Sequence, residues 1–97
     1  MHNVRSIPRL KIKIKAFGPE ITSLIERDKV MDFESDETVD DLFRRLEEEI
    51  RVKHGRTVKM LNSDFTVLIN GRNIETLSDR TLRDGDSLTI LSAIGGG

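Results

Sequence analysis

Leu10-Lys11-Ile12-Lys13-Ile14-Lys15-Ala16 alternates apolar and cationic residues without a break. Only an extended strand sends successive side chains to opposite faces, so this pattern predicts a half-buried strand with its lysines in water. Phe17-Gly18-Pro19 punctuates its end. A second, weaker strand is expected over Lys29 to Phe33, with Val30 and Phe33 turned inward and residues 18–28 joining it antiparallel to the first. Thr38 opens the clearest helix. Its hydroxyl can cap a free backbone N–H, Asp40 and Asp41 suit the positive end of the helix dipole, and the Thr38…Asp41 spacing is that of a capping box. Val39, Leu42, Phe43, Leu46 and Ile50 then form one apolar stripe, and Lys53, His54 and Gly55 read as its stop.

Arg56 to Asp64 fits no period and is read as loop. Phe65 to Ile69 is rich in β-formers and nearly continuous in apolar residues, which predicts a strand covered on both sides. Asn70-Gly71 is a tight-hairpin pair, so Arg72 to Glu75 is expected to fold back as a short strand. Leu77 and Leu82 flank a polar segment that crosses the domain, Asp84-Gly85-Asp86 makes a turn, and Ser87 to Leu91 forms the last strand. The order strand, strand, long helix, strand, short strand, strand calls for one helix packed on a mixed sheet, since the helix stripe and the sheet's inner face each need a cover. If the first and last strands lie side by side in the middle, the arrangement is a β-grasp.

At 97 residues the chain has room for one domain. We divide it into an arm over residues 1–9, a domain over 10–94 and a glycine tail over 95–97. With 16 Lys+Arg against 17 Asp+Glu, the composition suits a soluble module. The absence of cysteine excludes disulfides, thiolate metal sites and a thiol nucleophile of the protein's own, and agrees with a cytoplasmic protein. No apolar run is long enough to span a bilayer, and Met1 to Arg9 has no apolar core of the signal-peptide kind. Charge is uneven: residues 26–49 hold eleven acids against four bases.

Catalytic constellations are missing, so no enzyme activity, metal or bound cofactor is expected. His2 and His54 are the only histidines, and His54 beside a helix end reads as a dipole-friendly surface group. Asp84-Gly85-Asp86 lacks the continuing ligands of a calcium loop. Lys11, Lys13 and Lys15 make a cationic face, but no exposed aromatic interleaves them, so direct nucleic-acid binding is not expected and a solvated sheet face is the plainer reading. The terminus stands out more. Gly95-Gly96-Gly97 continues from an apolar strand without a polar linker, and three extended residues reach about 10 Å. A stem without side chains enters a channel too narrow for any Cβ, where an ordinary floppy tail would have no such use.

The opening strand into Lys15-Ala16-Phe17-Gly18, the helix start Glu37-Thr38-Val39-Asp40-Asp41-Leu42, Val67-Leu68-Ile69-Asn70-Gly71-Arg72, Leu82-Arg83-Asp84-Gly85-Asp86-Ser87-Leu88 and the closing Gly96-Gly97 together resemble the MoaD/ThiS-like ubiquitin-like β-grasp family, which includes sulfur carriers, small archaeal modifiers and the ubiquitin-related modifier. Ser92 and Ala93 stand where molybdopterin-type members often have prolines, and Gly95 is an extra glycine. The resemblance implies an α+β fold with a mixed four- to five-stranded sheet on one main helix. It implies a carrier whose Gly97 carboxylate an E1-like enzyme adenylates with ATP. The product would be a thiocarboxylate that serves molybdopterin synthesis or tRNA thiolation, or an isopeptide link to lysines of target proteins. The partners implied are that adenylating enzyme and a sulfur-accepting synthase subunit or thiolation enzyme. By motif position, Phe17, Leu91 and Ile74 would contact the activating enzyme. The rival reading is a non-catalytic β-grasp interaction or RNA-binding module, for which the lysine face would matter and the tail would not.

Overall fold

The computed structural model describes residues 9–61 and 65–92. Strand β1 (Arg9–Phe17) buries Leu10, Ile12, Ile14 and Ala16 and exposes the residues between them, as the alternation requires. A four-residue helix α1 (Pro19–Thr22) leads to β2 (Asp28–Glu34), which pairs antiparallel with β1. Helix α2 (Val39–His54) follows, then β3 (Phe65–Ile69), β4 (Arg72–Asn73), a 3-10 turn (Ile74–Thr76) and β5 (Ser87–Ser92). The sheet order is β2-β1-β5-β3-β4, with β1 and β5 parallel in its middle. This is the expected ubiquitin-like β-grasp, with five strands and one main helix.

The ends of α2 follow from its sequence. Thr38 accepts from Asp41 N through its hydroxyl, and its own backbone N donates to Asp41 Oδ2 at 2.9 Å, so the capping box is closed with Asp in the place of Glu. Gly55 ends the helix in the left-handed conformation. Val39, Leu42, Phe43, Leu46 and Ile50 are all buried against the inner sheet face of Ile12, Ile14, Phe33, Val67, Leu88 and Ile90. The polar crossing segment ties down the helix start: Val39 N donates to Arg80 O and Leu82 N to Glu37 O.

Three expectations need correction. In β2 the inward residues are Met31 and Phe33, while Val30 is 58% exposed. Val30 and Phe33 differ by an odd number of positions, so one strand cannot turn both to the same face. β3 is covered on one side only: Val67 and Ile69 are buried and Phe65 packs against the same core, while Thr66 is exposed and Leu68 half-buried on the other face, because α2 lies across one face of the sheet. The short strand after the hairpin stops at Asn73, where the chain turns into the 3-10 helix and buries Ile74. Core residues outside any periodic run also appear: Ile21, Leu24 and Ile25 around α1, and Met60 in the segment read as loop. Met60 N is fixed by Glu47 Oε2 at 2.9 Å.

The Asp41 carboxyl is held below its ordinary value of 3.8, first by the Thr38 backbone N–H and then by the Arg44 guanidinium. A depressed acid stabilises the fold above its unfolded value and loses that contribution as pH falls through the folded one. Wild type should therefore be more stable than Asp41→Asn at neutral pH, and the gap should close as pH drops below 3.8. Urea unfolding across that range checks it; a gap independent of pH would remove the carboxylate from the account.

Candidate functional site

The chain's C-terminal strand reaches the described boundary at Ser92, beside the end of β1. There the two strands are locked. Phe17 pairs with Leu91, and the Ser92 hydroxyl donates to Phe17 O at 3.3 Å. Ser92 itself is buried, an uncommon place for a hydroxyl without such a partner. Gly18 closes the corner with φ +105°, a conformation that side chains other than glycine resist. A Cβ at Gly18 would overlap Ser92 Oγ and crowd Ser92 O at 3.1 Å and Ser92 Cβ at 3.2 Å. The glycine therefore lets β1 turn away where Ser92 lies against it.

On the outer sheet face, the row formed by Phe17, Leu91 and Thr66 crosses three strands at this end. Phe17 is 53% exposed and Leu91 is half-buried, so both expected contact residues are accessible at the described end of β5. Lys15, Thr89 and Leu68 form the next row. Phe17 also borders a cleft of 630 Å³ that Lys15, Pro19, Thr22, Arg27 and Asp28 line. Ile74 is the correction here. It is 1% exposed, held inward by the 3-10 turn that Asn73 caps through Glu75 N, and cannot present a side chain to a partner. Gly95, Gly96 and Gly97 lie outside the described residues, as do residues 1–8 of the expected arm; Arg9 already belongs to β1.

The remaining candidates resolve into structural roles. Lys11 pairs with Asp32 at 3.0 Å, and across the ladder Lys15 stands opposite Asp28 and Arg9 opposite Glu34. A cationic row matched by acids on the next strand offers little net field to a phosphate backbone. In the Asp84-Gly85-Asp86 turn, Asp84 Oδ1 accepts from Lys11 N, while the Asp86 carboxylate accepts from Arg83 N and Asn70 Nδ2. These carboxylates serve the turn. His54 Nε2 lies 3.1 Å from Leu24 O, joining the end of α2 to the α1 segment. The residues that sequence reasoning missed are Gly18 and Ser92 as a pair. Gly18-Pro19 was legible as a strand end, but its contact with a residue 74 positions away was not.

The sequence matches the model of the ThiS family over residues 16–97. The chain belongs to the ThiS family. No curated protein matches it at a significant level. Among solved structures, this ThiS-family chain is similar to a Haloferax volcanii protein determined in solution, at 21% identity and a TM-score of 0.70 over 99% of this chain and 94% of that one. It is similar to small archaeal modifier protein 1 from Methanosarcina acetivorans, at 20% identity and a TM-score of 0.66 over 93% and 99%. It also resembles a chain in the complex of subunits 1 and 2 of molybdopterin-converting factor from Helicobacter pylori, at 19% identity and a TM-score of 0.52 over 91% and 100%. At such identities the likeness is one of fold. Among the described residues, no helix of this ThiS-family chain is long and apolar enough to cross a membrane.

The lock at Gly18 can be tested directly. Gly18→Ala should cost about 1–3 kcal/mol from its backbone conformation alone, with overlap against Ser92 Oγ added. Adding Ser92→Ala to Gly18→Ala should recover part of the loss, although Ser92→Ala alone removes a hydrogen bond. Urea unfolding of the three variants decides it; a double variant no more stable than Gly18→Ala would show that the two residues do not meet.

Proposed function

We propose that this protein is a ubiquitin-like carrier activated at the carboxylate of Gly97. Membership of the ThiS family carries the reading, and the match extends through Gly95-Gly96-Gly97. A carboxylate is a poor electrophile. In an adenylating partner of the E1-like kind, the Gly97 carboxylate would attack the α-phosphorus of ATP and expel pyrophosphate, giving an acyl adenylate. A persulfide sulfur then displaces AMP, and a thiol cleaves the resulting acyl disulfide to release the thiocarboxylate. That group donates sulfur, to molybdopterin synthesis or to a tRNA base. Capture of the acyl adenylate by a lysine amine, directly or through a thioester, instead gives a protein modifier.

The protein's own share is geometric. It supplies no general base and no thiol, and it acts as substrate of the activating enzyme in the cytoplasm, or as the small subunit of a synthase. Residues 1–8, 9–94 and 95–97 would serve as arm, body and handle. Phe17 and Leu91 would be gripped by the activating enzyme, since both lie on the outer face next to the strand that leads to the tail. A narrow tail costs roughly 1–2 kcal/mol per residue to order, and an adjacent apolar contact offsets that cost. The binding-module alternative draws on the lysine face, and the cross-strand acids of β2 weaken it.

Incubation with the cognate activating enzyme, ATP and a sulfur donor should exchange one carboxylate oxygen for sulfur, read as a heavier intact mass. Deleting Gly96-Gly97 should abolish the change. Phe17→Asp should weaken activation by about tenfold or more if the ring is a central contact, through KM rather than folding. An unchanged mass with active enzyme present would overturn the carrier reading, and isopeptide-linked glycine remnants on cellular lysines would identify the modifier branch.

A further inference from the structure

The proposed activation of the tail makes no use of the acidic stretch 26–49, and the fold gathers much of it along one border of the sheet. β2 is an edge strand. In an antiparallel ladder, pairs that exchange backbone hydrogen bonds alternate with pairs that do not. Ala16 N donates to Arg27 O at 2.9 Å, in line with the β1–β2 register, which sets the parity. Lys29, Met31 and Phe33 therefore turn their backbone groups toward β1, while Asp28, Val30, Asp32 and Glu34 turn theirs outward. Two contacts agree. Arg45 Nη1 donates to Asp32 O at 2.8 Å, and Glu34 N donates to Glu37 Oε2 at 2.8 Å.

Those two contacts close one end of the edge. The other end stays open: among the described residues, none bonds the outward N–H and C=O of Val30. The Val30 side chain is itself 58% exposed, between the acids Asp28 and Asp32. Beyond the edge runs a groove of 580 Å³ along α2, lined by Glu37, Asp41, Glu48 and Glu49 against Arg44 and Arg45. An edge with unpaired backbone groups around an apolar side chain is a template for one more strand.

The charges select which strand. Two copies paired antiparallel about Val30 would set Asp28 of one opposite Asp32 of the other, and like charges directly opposite are destabilising. The neighbour that this row already accepts is β1, which places Lys15, Lys13 and Lys11 opposite Asp28, Val30 and Asp32. We propose that the open β2 edge docks an extended segment of a partner protein in which cationic residues flank an apolar one at alternate positions. The segment adds as a sixth strand. Its backbone bonds the outward groups of Asp28 and Val30, its apolar side chain covers Val30, and its cations meet Asp28 and Asp32. Docking there uses the outer rim of β2 and not the Phe17–Leu91 row, although Asp28 also borders the cleft beside Phe17, and it does not depend on the role of the tail.

The test is an NMR titration of the full-length, isotope-labelled protein with the peptide Thr-Lys-Thr-Val-Thr-Lys-Thr, blocked at both ends. Saturable shifts and slowed amide exchange are expected at Asp28 and Val30. Two control peptides should fail: one with Glu in place of both Lys, and one N-methylated at its Val and both Lys, which keeps the charges but removes the ladder donors. Asp28→Lys, an exposed substitution, should weaken binding about tenfold, a loss of about 1.4 kcal/mol. Equal binding of the methylated peptide would reduce the effect to bulk charge and overturn the proposal. So would equal binding of the acidic peptide, shifts centred on Phe17 and Leu91, or the absence of any saturable response.

Discussion

Everything in this fold depends on the parallel pairing of β1 with β5. The two strands come from opposite ends of the described chain, and a parallel pair needs a crossover to join them. Here the crossover is nearly the whole protein, with α2 lying across the inner face as its cover. The inner side chains Ile12, Ile14, Leu88 and Ile90 are fully buried, so a slip of one residue in either strand would drive lysines or threonines into the core. The register is thus specified by burial. Because the register is specified, Phe17 meets Leu91 and Gly18 meets Ser92 at the described end of β5.

That constraint divides the surface. One end of the outer face carries an accessible apolar pair, Phe17 and Leu91, beside the described end of β5. The middle carries cations matched by acids across the β1–β2 ladder, as in Lys11–Asp32. The far border is acidic, and α2 adds its own carboxylates there, with Lys29 held by Glu49 at 2.8 Å.

Much of this was legible in the sequence wherever a period ran long enough. The unbroken alternation from Leu10 to Ala16 and the stripe from Val39 to Ile50 determine their own elements, and Thr38 with Asp41 marks a helix start for a local hydrogen-bonding reason. The side of β2 that faces the core was less readable, because Val30 is as apolar as Met31 and Phe33 and only the pleat separates them. Ile21, Met60 and Ile74 come from short turns, where burial is decided by distant partners rather than by spacing. Motif position alone put Ile74 at the contact surface, and the 3-10 turn buries it instead. The contact between Gly18 and Ser92 lies beyond any local signal, since it exists only once the first and last strands are neighbours.

In the proposed function the domain serves to present its terminal carboxylate for activation. The most direct measurement is exchange of labelled pyrophosphate into ATP by the cognate adenylating enzyme, with this protein as the only carboxylate substrate. The account predicts exchange that requires the protein and vanishes when the Gly97 carboxylate is converted to an amide. Exchange that persists with the amide, or that the intact protein fails to support in the presence of active enzyme, would contradict it.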